Sequence, residues 1–405
     1  MRKKITQSLF HSPARPQHKT PLTVLVAPSG FKESLSARDV AEHITAGVHR
    51  VMPDAIVLQA PMADGGEGFT EALVGATHGQ LQSLAVTGPV GETMQAFFGF
   101  LGGAARRTAV IEMAAAAGLR LVPRDRRNPM LTTSFGVGEL IRAALDAGAE
   151  RILLGCGDSG INDGGAGMAQ ALGARLLDAS GSEIGQGGAE LARLARIDLT
   201  HLDPRLAHVQ LDAAVNWHNV LLGARGVARV FGPQKGATPE QVLLLDAALE
   251  NYAACIQRCT GIDVGSAPGS GASGGLGAAF AALLGGTLHP RFDIVMRYLD
   301  IDALMKKADL VITAEGSLDE QTPFGKVPTE VARRAKLLGL PVVALAGTLG
   351  QGATANLEHG IDAFASIVHG PCTLEESMAR SRPWLARAAE DVMRLMCVGS
   401  RLRLQ

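Results

Sequence analysis

The chain has 405 residues, 47% of them hydrophobic and 19% charged, which is too long for one ordinary core and predicts two domains. A net charge of −1 removes the electrostatic case for nucleic acid or an acidic membrane surface, and aromatics at 4% argue against stacking platforms for single strands. The 49 glycines point instead to tight turns where backbone closely approaches a small-molecule ligand.

Residues 1–21 are basic, carry proline and histidine, and lack the apolar stretch of a secretory signal, so a disordered tail is expected. Residues 23–27 (TVLVA) form a β-rich run ending in Pro28-Ser29-Gly30, a strand entering a loop. Ser36 then offers an N-cap with Asp39 three residues on, and Val40, Ile44, Val48 and Val51 follow on one helical face. Residues 55–58 read as a second strand and 61–68 as a loop rich in glycine and acid. Strands are expected at 109–113, 151–154 and 209–215, and a capped helix opens at Thr238-Pro239-Glu240 with proline at its first position. The strand–loop–helix order returns near the end: a strand at 309–313, a helix from about Thr329, and strands at 341–346 and 363–368. This is the grammar of a parallel α/β sheet. Each end is short for an independent domain, so one domain is expected from 22–87 and 290–405, with 88–289 inserted. Gly88-Pro89 and His289-Pro290 are the expected crossing points.

The five cysteines (Cys156, Cys255, Cys259, Cys372, Cys397) have no framework spacing and complete no zinc site, which fits thiols in a reducing cytoplasm. No run of about 20 apolar residues exists to span a membrane.

Three loops are placed where strands end, where open α/β sheets bind ligands. The first is Met62-Ala63-Asp64-Gly65-Gly66-Glu67-Gly68. The second runs from Gly155 through Asp158-Ser159-Gly160-Ile161-Asn162-Asp163 to Gly167. The third, residues 265–277, holds Gly269, Gly271, Gly274 and Gly275 and leads into an alanine-rich helix. Such loops can aim amide N–H groups at phosphate or carboxylate, and acids in the first two could hold a Mg²⁺ that bridges phosphates. Lys32, Lys235 and Lys326 are candidate cations against a triphosphate, although each also reads as a solvated loop lysine. No P-loop run, protein-kinase signature or strand-linked dinucleotide fingerprint occurs, and Gly157-Asp158-Ser159-Gly160 has no secreted-protease context.

The segments Ala27-Pro28-Ser29-Gly30-Phe31-Lys32-Glu33-Ser34-Leu35-Ser36, the acidic loop from Asp64 to Gly68, and Gly157-Asp158-Ser159 through Asn162-Asp163-Gly164-Gly165 resemble successive signatures of the type-1 glycerate kinases. So do Phe231-Gly232-Pro233-Gln234-Lys235-Gly236-Ala237, the third loop, and Glu315-Gly316-Ser317-Leu318-Asp319-Glu320-Gln321-Thr322. The resemblance runs in order from about residue 23 to 395.

It implies a Rossmann-like domain from both chain ends, an inserted α/β domain, and a site in the cleft between them. It also implies a cytoplasmic enzyme, a homo-oligomer being left open, that uses ATP and Mg²⁺ to phosphorylate D-glycerate at the 2-hydroxyl. Within that reading Lys32 and either Asp163 or Asp319 are the catalytic candidates. Substrate contacts fall to Ser29, Lys32, Asp64, Glu67, Asp158, Ser159, Asn162 and Lys326, and the metal to Asp64 and Asp158. Nucleotide contacts fall to Asn216, Lys235, Gly269, Gly271, Gly274, Gly275 and Glu315. The chain departs from the family pattern at Ser29-Gly30, where an acid is lost before the lysine, at Asn216 in place of an aspartate, and at Ala314 in place of glycine. A kinase of another sugar acid, such as a tetronate, and a non-catalytic sensor of small acids are the alternatives.

Overall fold

The computed structural model describes residues 21–31, 34–63, 65–323 and 325–402. The expected tail therefore lies, but for Pro21, outside the described residues, as do Lys32 and Asp64.

Two sheets dominate. The five-stranded sheet runs Ala363–Ser366, Val342–Leu349, Leu310–Leu318, Thr23–Val26, Ile56–Gln59, and every pairing is parallel. Its strands come from both ends of the chain, as the α/β grammar at the two ends implied. In the six-stranded sheet Thr287–Pro290, Gln210–Val215, Arg151–Gly155 and Thr108–Glu112 are parallel neighbours. An antiparallel pair, Thr93–Phe100 and Gln80–Thr87, completes that sheet.

Alternation along the strands decides which core each side chain enters, because successive residues point to opposite faces. Val24, Val26, Leu310 and Ile312 face the helices Ala37–Val51 and Leu374–Gly399. Leu25, Ala27, Val311 and Ala344 face the other way, into a core shared with Val110, Leu153 and Ala214 of the six-stranded sheet. Phe69 and Leu73 of the helix Phe69–Ala76 pack in the same shared core. The opposite register of the six-stranded sheet, including Ile111, Ile152, Leu154 and Val215, packs under Phe135–Asp146 and Pro239–Thr260. Each fully buried valine, isoleucine or leucine stabilises by on the order of 1.5–3 kcal/mol.

The helix Ala37–Val51 begins as its sequence predicts, with Ser36 and Asp39 forming a reciprocal capping box. Pro239–Thr260 is capped in the same way by Thr238 and Gln241. In the five-stranded sheet the strand order reverses at Thr23–Val26, which has Ile56–Gln59 on one side and Leu310–Leu318 on the other. Ligands of open parallel sheets bind at the carboxyl ends beside such a reversal.

Candidate active site

The carboxyl ends of the parallel strands of both sheets converge. Beside the strand reversal, Ser29 donates from its N–H (2.9 Å) and its Oγ (3.1 Å) to the carbonyl of Ala314, which precedes Glu315. The Met62 N–H donates to Pro28 O at 2.8 Å, so the first loop starts alongside this turn. Its far end reaches the six-stranded sheet, where the Glu67 N–H donates to Asp158 Oδ2 at 2.9 Å. Glycine makes that approach possible, since a Cβ at Gly157 would lie 2.6 Å from Gly66 Cα.

The second and third loops pack on each other as tightly. A Cβ at Gly274, which has φ +72, would lie 2.1 Å from Ile161 O, and the Gly164 N–H donates to Gly274 O at 3.0 Å. The N–H groups of Gly271 and Gly275 donate to Asn219 O and Gly271 O, both at 3.2 Å, and Gly269 is buried with φ +79. Here the third loop's glycines serve close packing. Ser273, between them, is a non-glycine residue with φ 52, and Asp158 in the second loop has φ 50. Half-buried Asn216 stands at the end of the strand Gln210–Val215, its Oδ1 accepting from the His218 N–H at 3.1 Å.

Asp163 is fully buried. Its Oδ2 accepts from the N–H (2.7 Å) and Oγ (2.8 Å) of Ser134 and from the Gly167 N–H (3.2 Å), and its Oδ1 from the Gly165 N–H (3.1 Å). Burial pushes the carboxyl up, against the pull of those donors. Lys235 is also buried, and its Nζ donates to Ser159 Oγ (2.9 Å) and Ile161 O (2.6 Å). Desolvation pushes this ammonium down to about 7, opposed by the charge of Asp163. Asn162 is buried too, and neither atom of its amide has a hydrogen-bond partner among the described residues.

Asp319 and Lys326 are differently placed. Lys326 Nζ lies 3.2 Å from Asp319 Oδ1, with both side chains about a third exposed (30% and 27%). The Gln321 N–H donates to Asp319 Oδ1 at 3.0 Å and Thr322 Oγ1 to the same oxygen at 3.3 Å. Burial pushes the Asp319 carboxyl up, but Lys326, Gln321 and Thr322 outweigh it and hold the group below the usual carboxylate range. Lys326 lines a cleft of about 680 Å³ with Glu320, Gln321, Gly325 and Arg291. Arg291 follows the strand Thr287–Pro290, so the cleft has the ends of both sheets on its walls.

Thus Glu67, Asp158, Ser159, Asn162, Asp163, Lys235 and the third loop gather at the six-stranded sheet, and Ser29, Glu315, Asp319 and Lys326 at the five-stranded one. The first loop joins the two groups. Sequence reasoning passed over Glu112, Ser134 and Arg291. Glu112 had a faint signal, a carboxylate ending the apolar run Thr108-Ala109-Val110-Ile111. Ser134 had none, because its partner is 29 residues away.

The glycerate kinase family model matches residues 24–397. The chain belongs to the glycerate kinase family. It is 48% identical over 371 residues to a glycerate kinase of Bacillus subtilis (strain 168), covering 92% of this chain and 97% of that one. It is 44% identical over 380 residues to a glycerate 2-kinase of Escherichia coli (strain K12), covering 94% and 99%. A crystal structure described as a candidate glycerate kinase 2 from Salmonella typhimurium LT2 superposes with a TM-score of 0.84 at 47% identity, covering 94% of this chain and 100% of that one. As a member of the glycerate kinase family the chain is an enzyme, a phosphoryl transferase, with the α/β architecture described above. Among the described residues no helix is long and apolar enough to cross a membrane.

Proposed function

We propose that the chain transfers the γ-phosphoryl group of ATP to the 2-hydroxyl of D-glycerate, giving 2-phosphoglycerate and ADP, in the cytoplasm. The observation that carries this reading is the Asp319–Lys326 pair, about a third exposed, whose lysine lines a cleft that Arg291 lines from the other sheet. Phosphoryl transfer demands positioning and neutralisation of charge more than covalent chemistry. Lys326 supplies a cation, and Asp319, held ionised, accepts a hydrogen bond from the substrate hydroxyl and orients it. The relatives' printed names support the substrate, and one of them supports the 2-position.

The structure favours Asp319 over Asp163 for the contact with the hydroxyl, because both oxygens of Asp163 are engaged and the side chain is fully buried. We assign Asp163 and Lys235 to holding the second loop, so that Asp158 and Ser159 meet substrate. The nucleotide lies by Asn216 and Glu315, with the third-loop glycines fixing the floor beneath it. Lys32 and Asp64 keep their proposed roles from the sequence. Among the described residues no three His, Cys, Asp or Glu side chains converge on a metal. A Mg²⁺ carried on phosphates needs only one or two protein carboxylates, and exposed Asp158, one oxygen taken by the Glu67 N–H, fits that demand. Such an ion would offset negative charge on the phosphoryl oxygens. For the domains, we place the first crossing at residues 60–68 rather than at Gly88-Pro89, because Phe69–Ala76 and Gln80–Thr87 already pack with the six-stranded sheet.

The test is ADP release by the purified chain with D-glycerate, L-glycerate, and C4 sugar acids under Mg²⁺–ATP. The highest kcat/KM is expected with D-glycerate. A higher value with a tetronate would reassign the substrate, and no release with any acid would point to a sensor.

A further inference from the structure

The helix Phe69–Ala76 carries the first loop on its N-terminus and has no cap of its own, its N-cap being Gly68 with φ 81. The unpaired N–H groups of a helix's first turn need acceptors. They find one in Glu112, at the end of a central strand of the six-stranded sheet. The Gly68 N–H donates to Glu112 Oε1 at 3.3 Å and the Thr70 N–H to Oε2 at 2.9 Å. Glu112 is buried, 3% exposed. With Asp158 taking the Glu67 N–H, two carboxylates from the six-stranded sheet's loops and strand ends hold three N–H groups of a segment that begins at the five-stranded sheet.

This arrangement has a consequence for ligand binding. A helix N-terminus beside a glycine-rich loop suits phosphate, but here a protein carboxylate already occupies the position. The first loop is anchored there by its backbone.

We propose that Glu112 is a positioning residue for phosphoryl transfer: it pins the loop that crosses between the sheets and so sets where Glu67 stands relative to Asp158. The proposal extends the kinase reading given above and rests on it for its activity readouts.

Ionisation of Glu112 gives the hold a pH dependence. Burial, with smaller contributions from Glu71 and Glu67, pushes its carboxyl up to about 7, against the pull of the Thr70 and Gly68 N–H groups. Among the described residues the charged groups acting on it are Glu71 on the capped helix and Glu67 on the loop, the latter paired with Arg120 at 3.4 Å. The ionised carboxylate accepts at both oxygens, whereas the acid must turn one oxygen into a donor and release an N–H. The hold therefore tightens as pH rises through about 7. Global stability moves the other way. The folded pKa lies above the unfolded one, so the folded state binds more protons between about 4.5 and about 7, and this group's contribution to stability falls as pH rises through that window. A group with only a structural role would not give kcat/KM and stability opposite pH slopes.

The experiment compares wild type, Glu112→Gln and Glu112→Asp as full-length chains. It measures kcat/KM for D-glycerate across one pH unit either side of neutrality, thermal midpoints, and exchange of the Gly68 and Thr70 amides. Glu112→Gln is expected to stay folded, to lose about 10²-fold in kcat/KM as misplaced catalytic groups do, and to lose the limb near pH 7 that wild type shows. Lys235 remains in both proteins, so the difference between the profiles belongs to Glu112. Glu112→Asp, one methylene short, should keep a limb at reduced rate. In wild type the two amides should exchange more slowly, relative to neighbouring amides, above pH 7 than below it. Superimposable pH profiles for wild type and Glu112→Gln, or protection of the two amides that does not change with pH, would overturn the proposal. Wild type inactive on every acid would overturn the kinase reading, and the amide exchange would still decide for or against Glu112.

Discussion

Replacing Asp163 by asparagine separates an anchor from a base. The carboxylate takes three hydrogen bonds at Oδ2 and one at Oδ1. An asparagine that keeps its oxygen at the three-donor end must set its NH₂ against the Gly165 N–H, and an unsatisfied buried donor costs about 1–3 kcal/mol. The three remaining bonds also lose their charge assistance, which brings the total to about 3 kcal/mol. Lys235 adds little at neutral pH. Burial has already pushed its pKa down to about 7, and without the Asp163 charge it falls further, so the amine sheds its proton rather than standing as an unpaired charge. A destabilisation of that size lowers the melting midpoint by roughly 5–10 °C. Circular dichroism melts alongside initial rates are the assay, with turnover expected to fall together with stability. An unchanged midpoint with turnover lost would mean that Asp163 acts chemically, which would refute the anchoring argument.

Asp319→Asn should leave the melting midpoint within a degree or two and lower kcat by about 10²–10⁴-fold, as loss of a general base or hydroxyl-orienting group does; a steady-state comparison at saturating glycerate checks it. Gly157→Ala should cost about 1–3 kcal/mol, because its Cβ would fall 2.6 Å from Gly66 Cα, and urea unfolding reads this directly. Lys235→Met probes a pH slope. The folded pKa of Lys235, about 7, lies below its ordinary value of 10.5, so its contribution to stability rises with pH between the two. Urea midpoints should climb more steeply with pH in wild type than in the variant, and identical slopes would contradict the buried, desolvated state of this amine.

Much of the fold could be read in the residues because local signals and tertiary packing agree. The runs at 24–27 and 109–111 are apolar on both faces, as strands covered on both sides must be, and Ser36 and Thr238 cap as their side chains predict. The antiparallel strands Gln80–Thr87 and Thr93–Phe100 were not anticipated. Exposed and half-buried glutamine, serine and threonine dilute their alternation, and an edge strand has only one neighbour to satisfy. The C-terminal helix Leu374–Gly399 was also missed; it carries Pro383 in its interior, which reads as a break in sequence.

In the site, the glycine-rich loops announced themselves by composition, yet composition does not tell a ligand-facing glycine from a packed one. Gly274 is packed against Ile161 O. Burial likewise separated lysines that look alike in sequence, since Lys235 is enclosed and Lys326 lines the cleft. Glu112 and Ser134 act on segments 42 and 29 residues away, and no local pattern carries that information.

The most direct measurement of the central claim is a coupled reaction in which the purified chain, D-glycerate and Mg²⁺–ATP are followed through enolase with no phosphoglycerate mutase present. Phosphoenolpyruvate formed at the rate of ADP release is the result expected of a glycerate 2-kinase. ADP release with phosphoenolpyruvate appearing only after mutase is added would place the phosphoryl group on the 3-hydroxyl and contradict it.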